Sequence, residues 1–291
     1  MKNPLVSIIT PTYNRADFLV ETIESVLSQN YSNFEYIVLD DGSKDKTIDI
    51  LKRYENRIKW FSHSNMGETL TVNKGFSISN GEIIIVVNSD DPLLPNAIST
   101  GVSFLLQNPN KIVAYPDWVK IGPKSEIIEY VKVPDYDYLY MLKQHHCIVG
   151  PGAFIRRKAF DYVGFRDPSF KYVADFDFWL RLGLYSDFIR IPNTLASFRV
   201  HNKSASVNYR GHEMAKEHII LVNKIFSHPK LPKCAQKKRA EAFYWAYQVA
   251  SEMCDNKSFH AKKLKLIGLY YYPLITPKFL YHKIKKYFSN L

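Results

Sequence analysis

The feature that most constrains this chain is Ile83-Ile84-Ile85-Val86-Val87, followed three residues on by Asp90-Asp91-Pro92. Five consecutive β-branched apolar residues cannot alternate between core and solvent, so a strand made of them is buried on both faces, as inside a parallel sheet. Pro92 has no N–H for a ladder and forbids continuation. Open α/β sheets bind ligands beyond the carboxyl ends of their strands. Two carboxylates placed there make a hard-oxygen site for Mg²⁺ or Mn²⁺, completed by substrate phosphates. The same pair also serves as an ordinary helix cap, so the assignment turns on what other strands bring to the same edge.

Three further segments read as strands of one alternating pattern. Leu5 to Thr10 is a short apolar strand that Pro11 should end, Phe34 to Leu39 is a second, and Ile58 to Phe61 a third. Between them, Phe18, Leu19, Thr22, Ile23, Val26 and Leu27 repeat as one helix face, with further helices around Ile48–Tyr54 and Leu70–Phe76. This alternation predicts parallel β-α-β units with right-handed crossovers. Later segments read as a helix at 98–106, a strand at 112–115 and less regular hairpin material over 118–133. Then come a strand near Phe154-Ile155, helices at 158–163 and 175–184, a last strand at 195–200, and three or four helices with no strand beyond Arg210.

The 291 residues carry a net charge of +11, distributed unevenly. Residues 203–291 hold 17 Lys+Arg against 5 Asp+Glu, leaving 22 against 23 in residues 1–202. The break predicts an α/β domain over 1–205 and a basic helical region over 206–291. Cys147, Cys234 and Cys254 form no C-x-x-C, which argues against a disulfide framework or a structural zinc site. Neither a signal peptide nor an 18-residue apolar run is legible, so the expectation is a cytoplasmic protein, working at the inner face of the cell membrane. Interleaved Lys278, Phe279, Leu280, Lys283, Lys285, Lys286, Tyr287 and Phe288 suggest a basic amphipathic segment for an anionic membrane surface. Nucleic acid is not an expected partner, since no binding module accompanies the charge.

Acids and aromatics gather at the strand ends: Pro11-Thr12-Tyr13 after the first, Asp40-Asp41 after the second, Asp90-Asp91 after the fourth. No G-x-G-x-x-G follows the first strand and no G-x-x-x-x-G-K-[ST] occurs, so a diphosphate here would need a cation, which Asp90 could hold. Tyr13 could stack on a nucleobase. Asp41 could accept the ring N–H of uracil, thymine or guanine, though not of cytosine.

Taken in order, these residues resemble a family 2 glycosyltransferase of the GT-A fold, of the type that builds bacterial surface polysaccharides and glycolipids. The matching motifs are Val6-Ser7-Ile8-Ile9-Thr10-Pro11-Thr12-Tyr13-Asn14-Arg15, Ser25-Val26-Leu27-Ser28-Gln29 and Phe34-Glu35-Tyr36-Ile37-Val38-Leu39-Asp40-Asp41-Gly42-Ser43. They continue with Asn73-Lys74-Gly75, Gly81-Glu82-Ile83-Ile84, Asn88-Ser89-Asp90-Asp91, Gly152-Ala153-Phe154-Ile155-Arg156-Arg157 and Asp175-Phe176-Asp177-Phe178-Trp179-Leu180-Arg181. The resemblance implies a Rossmann-like, mostly parallel sheet flanked by helices, with a C-terminal helical extension.

By the same resemblance, Pro11, Thr12 and Tyr13 line a nucleobase pocket and Asp41 accepts the base N–H. Asn88-Ser89-Asp90 takes the D-x-D position, with Asp90 as metal ligand and Asp91 as supporting acid. Arg15, Lys74 and His201 are candidates for the diphosphate, Gly152 is carried as a site residue, and Asp175 falls at the catalytic base. The chain departs from the family pattern at Asn88, neutral where the first acid stands, and at Ala174, where an acid commonly precedes the base. Independently, a helix starting near Asp175 would favour its anion through the positive N-terminal dipole, and a base must be ionised at working pH. Phe178, Trp179 and Arg181 read as structural, and His145-His146 as non-catalytic residues bordering an acceptor cleft.

These readings converge on an inverting, metal-dependent glycosyltransferase. It would use Mn²⁺ or Mg²⁺, a nucleoside-diphosphate sugar such as a UDP-sugar, and a glycan or lipid-linked acceptor. A nucleotidyltransferase and a non-catalytic nucleotide-sugar-binding protein remain alternatives at this point.

Overall fold

The structure, a computed structural model, describes residues 3–201, 211–254 and 258–272. The chain divides into two compact units: residues 1–136, 148–171 and 185–204 make the first, and 137–147, 172–184 and 205–291 the second. The expected cut between 205 and 206 falls outside the described residues, as does the basic segment beyond 272.

In the first unit the apolar run forms β4 (Ile83–Val86), parallel to β1 (Val6–Thr12), which is also parallel to β2 (Phe34–Asp40); β3 (Lys59–Ser62) extends the same direction. The helices α1 (Leu19–Leu27), α2 (Thr47–Arg53) and α3 (Glu68–Ile78) alternate with these strands. The other half of the sheet is built differently. β5 (Val113–Ile121) pairs antiparallel with β6 (Ile127–Val131) and β7 (Phe154–Arg156), and β7 pairs antiparallel with β4. The long β8 (Ile189–Arg199) runs parallel to β5. The order is β3-β2-β1-β4-β7-β5-β6, with β8 paired to β5. Helices α4 (Ala97–Gln107) and α6 (Ala159–Val163) complete this unit.

Pro11 does not end β1: it pairs with Leu39, and the strand continues to Thr12. The pleat explains this. The Ile9 carbonyl accepts the Val87 N–H, toward β4, and the Thr12 carbonyl accepts the Asp41 N–H, toward β2. Parallel residues alternate sides, so the nitrogen of Pro11 faces the β4 side, where pairing has already stopped at Ile9–Val86. The missing donor costs no ladder bond there. The material over 118–133 is also more regular than its sequence suggests, forming the β5–β6 hairpin with one irregularity at Lys120/Ile121.

One apolar cluster on the sheet joins Val6 and Ile8 of β1, Val38 of β2 and Ile85 of β4 to Leu19 and Ile23 of α1. On the opposite face, Ile9, Ile37, Leu39 and Ile84 pack with Val72 and Phe76 of α3. Gly75 allows that helix to approach: a Cβ there would lie 2.4 Å from Cγ2 of Ile9 and 2.9 Å from Cδ1 of Leu39.

The described part of the second unit is helical: α5 (Tyr138–Lys143), α7 (Ala174–Leu182), α8 (His212–Phe226), α9 (Lys233–Gln236), α10 (Arg239–Met253) and α11 (Phe259–Tyr271). Among the described residues, no helix is long and apolar enough to cross a membrane.

Candidate active site

β1 and β2 end in register, Thr12 opposite Asp40. The loops beyond them are tied together: the Asn14 N–H donates to Ser43 Oγ at 2.8 Å, and Asn14 Oδ1 accepts the Lys44 N–H at 2.8 Å. Asp40 is occupied by this loop, accepting from the Ser43 N–H and, at 2.7 Å, from the Ser62 hydroxyl. Asp41 is buried at the N-terminus of α3, where its two oxygens accept the N–H groups of Met66 at 2.7 Å and Gly67 at 3.0 Å. Pro11 and Thr12 are buried, and Tyr13 is 42% exposed. The Thr12 hydroxyl and His63 Nε2 are buried without a hydrogen-bond partner. His63 Nδ1 lies 3.5 Å from Asp41 Oδ1.

Beyond β4 the two adjacent acids have separate environments. Asp91 is buried, with Oδ1 accepting the Arg199 N–H at 2.7 Å and Oδ2 the Asn88 amide at 2.9 Å. Burial first, and then the neighbouring charge of Asp90, push the Asp91 carboxyl well above the carboxylate range. Asn88 thus supplies a neutral donor where an acid would add a further negative charge. Ser89 is buried, and its carbonyl accepts the Thr22 hydroxyl at 3.0 Å.

Asp90 is the more accessible acid, with its side chain 15% exposed. Its Oδ2 lies 2.9 Å from His201 Nε2 and accepts Arg15 Nε–H at 3.2 Å. The His201 ring packs on Phe18 at a centroid distance of 4.4 Å, so α1 and the end of β8 fix its position. The structure therefore brings Arg15, Asp90 and His201 together.

Arg199 holds this corner and was passed over as a site residue in the sequence. Its guanidinium is fully buried. It donates to the Asp90 carbonyl at 2.8 Å, the Gly122 carbonyl at 3.0 Å, Ser125 Oγ at 3.0 Å and Glu21 Oε2 at 2.7 Å. It also lies 5.0 Å from the Phe18 ring centroid. An arginine in an Arg-Val-His triplet after a strand was the available signal, but its partners lie far away in sequence.

The other candidates sit as follows. Lys74 is half-buried on α3, and its carbonyl accepts the Ser77 hydroxyl. Gly152 has φ +76, and a Cβ there would lie 2.7 Å from that of Ala196, so both conformation and space demand glycine. In the second unit, Asp175 is half-buried in the first turn of α7, where Oδ1 accepts the Phe176 N–H at 2.7 Å. Asp177 is buried and bonded to Arg181 and Lys224, while Glu217 of α8 accepts the N–H groups of Tyr172 and Val173 just before α7. Glu217, far from Asp175 in sequence, gave no signal there. His145 is buried, 2.9 Å from Nδ1 of His218.

The residues at Asp90 fit a divalent cation by their chemistry. A carboxylate oxygen and an imidazole nitrogen converge at 2.9 Å, about the spacing of adjacent ligands on an octahedral ion with bonds near 2.1 Å. That donor set suits Mn²⁺ at least as well as Mg²⁺. Asp91 has both oxygens engaged internally, which suits it to positioning Asp90.

Fold and strand-end acids define a GT-A-type α/β enzyme with a helical C-terminal region. Residues 7–164 match Glycosyl transferase family 2, and the chain belongs to that family of glycosyltransferases. It is 31% identical over 277 residues to an uncharacterized glycosyltransferase of Rickettsia typhi, covering 88% of this chain and 86% of the relative. Among solved structures it resembles S. aureus TarS 1-349 in complex with UDP-GlcNAc, with TM-score 0.69 and 16% identity over 94% of this chain and 82% of that one. It also resembles the mannosyltransferase PcManGT from Pyrobaculum calidifontis in complex with GDP-Man and Mn²⁺, with TM-score 0.64 and 15% identity over 99% and 81%.

Proposed function

We propose that this chain transfers a sugar from a nucleoside-diphosphate sugar to an acceptor hydroxyl with inversion at the anomeric carbon. The observation that carries the reading is the convergence of Asp90, His201 and Arg15 beyond β4, with Asn88 and Arg199 orienting the acids behind them. Pro11, Thr12 and Tyr13 receive the base, and Asp41 takes its ring N–H on lone pairs left by the Met66 and Gly67 bonds. Asn88 and Ser89 face the ribose, Arg15 and Lys74 meet the diphosphate, and Gly152 keeps backbone close to the donor. Asp90 and His201 hold Mn²⁺ or Mg²⁺, and Asp91 supports Asp90. When bound, the cation supplies positive charge that stabilises a departing diphosphate.

Asp175 takes the proton from the acceptor hydroxyl, whose oxygen attacks the anomeric carbon as the bond to the diphosphate breaks on the opposite face. Support comes from its half-buried position in the first turn of α7, where one oxygen accepts the Phe176 N–H and is held in place. The acceptor class we propose is a glycan or lipid-linked intermediate of surface polysaccharide or glycolipid synthesis, met at an anionic cytoplasmic membrane surface through the basic C-terminal sequence.

The test is product analysis after a thermal-shift screen of UDP-, GDP- and dTDP-sugars with Mn²⁺. Release of nucleoside diphosphate with a glycosylated acceptor supports the reading. Pyrophosphate release would make the enzyme a nucleotidyltransferase and overturn it. Flotation with anionic liposomes at low salt tests the membrane component, and no association removes it.

A further inference from the structure

The second unit holds a cluster that glycosyl transfer does not use. His212 opens α8, Cys254 caps the C-terminus of α10, and His260 lies in the first turn of α11. One ligand atom from each residue lies within 4.8 Å of the other two. Cys254 Sγ is 3.7 Å from His212 Nδ1, and the two imidazole centroids are 4.4 Å apart with the rings at 82°.

We propose that His212, Cys254 and His260 form a metal site for Zn²⁺ that ties together the ends of α8, α10 and α11. The distances favour this. Zinc bonds of about 2.3 Å to sulfur and 2.0–2.1 Å to nitrogen, at a tetrahedral angle, put sulfur and nitrogen about 3.6 Å apart. The Cys254–His212 pair is already at that spacing, and all three atoms close onto one ion with shifts on the order of 1 Å.

The chemistry agrees with the geometry. Thiolate plus two imidazoles is a borderline-soft set that selects zinc over the hard cations preferred by carboxylate and phosphate. Cys254 is buried beside Ala215, Ala250, Ala261 and Leu264, while His212 and His260 are exposed. The sulfur thus sits on a fixed apolar base and the metal enters from the solvent side, leaving a fourth position for water. Forming the sulfur–metal bond converts the Cys254 thiol to a thiolate and releases its proton to solvent. Sequence spacing conceals the site, because His212 is far from Cys254 and no C-x-x-C is involved.

Co²⁺ added alone to the purified, metal-stripped full chain tests this. A tetrahedral site with one thiolate gives a sulfur-to-cobalt charge-transfer band in the near ultraviolet and d–d bands in the visible, which a single equivalent of Zn²⁺ then displaces. Asp90 and His201 bring no sulfur, so a cation there is silent in that band, and failure of the functional reading leaves this result untouched. Cys254→Ser should abolish the band, and His260→Gln should weaken Co²⁺ binding on the order of 100-fold. His260 is exposed, so its variant keeps the test usable if Cys254→Ser fails to fold. Cys234→Ser, which removes the exposed thiol, should leave the band intact. No band in the wild-type chain, or a band that survives Cys254→Ser, overturns the proposal and reduces the trio to a thiol hydrogen-bonded to an imidazole.

Discussion

Arg199 binds both acids beyond β4 with different groups: its backbone N–H donates to the Asp91 carboxyl group at 2.7 Å, and its guanidinium to the Asp90 backbone carbonyl at 2.8 Å. One residue at the end of β8 therefore sets the position of two at the end of β4. Replacing Arg199 with Met leaves the Asp90 carbonyl without its side-chain donor, while the Gly122 carbonyl keeps the Ser125 N–H. The expected loss is about 3 kcal/mol of stability, read as a lower urea midpoint at unchanged slope.

His201 lies 2.9 Å from Asp90 and has almost no solvent exposure. His201→Gln should weaken donor binding in Mn²⁺ by roughly 10- to 100-fold and leave the much weaker binding in EDTA unchanged. Calorimetry in the two buffers measures both, and equal losses in each would deny His201 a part in cation binding.

Asp175→Asn retains the first-turn hydrogen-bond acceptor of α7 but not the proton acceptor. Turnover should fall by about 10²- to 10⁴-fold, with donor affinity near that of the wild type. Retained turnover would remove Asp175 from the mechanism.

His218 predicts a loss of stability on acidification. Burial pushes its imidazole down to about 4, and burial lowers His145 as well. The folded chain stays neutral there while the unfolded chain protonates near 6.5, so the unfolded state binds more protons between those values. The His218 contribution is fully present above pH 6.5 and lost as pH falls towards 4, by about 3 kcal/mol at the lower end. A thermal-melt series across that range should show the decline, and His218→Phe should reduce it while leaving the part that buried His145 contributes.

The parallel half of the sheet was legible because each strand is a short apolar run closed by acids or turn residues, and each crossover helix shows its own periodicity. β8 was harder, since Asp117–Thr194 is a distant pairing that no local pattern encodes, while the β5–β6 hairpin read only as irregular hairpin material. The site divides the same way. Asp41 and Asp90 are visible as strand-end acids, but their different surroundings depend on Met66, Arg15 and His201. Asp91 looks like a twin of Asp90 in sequence, and only the Asn88 and Arg199 donors separate them. Asn88, a departure from the family motif, becomes intelligible once its amide is seen on Asp91.

Pro11 gives the sheet a permanent fork. Parallel strands could in principle zip further and seal the gap between β1 and β4, but the one nitrogen that would carry the next rung has no hydrogen. The opening at this edge therefore does not depend on a loop staying out of the way. Replacing Pro11 with valine would restore the rung's donor and give the two strands a means of growing toward each other across the mouth they now leave apart.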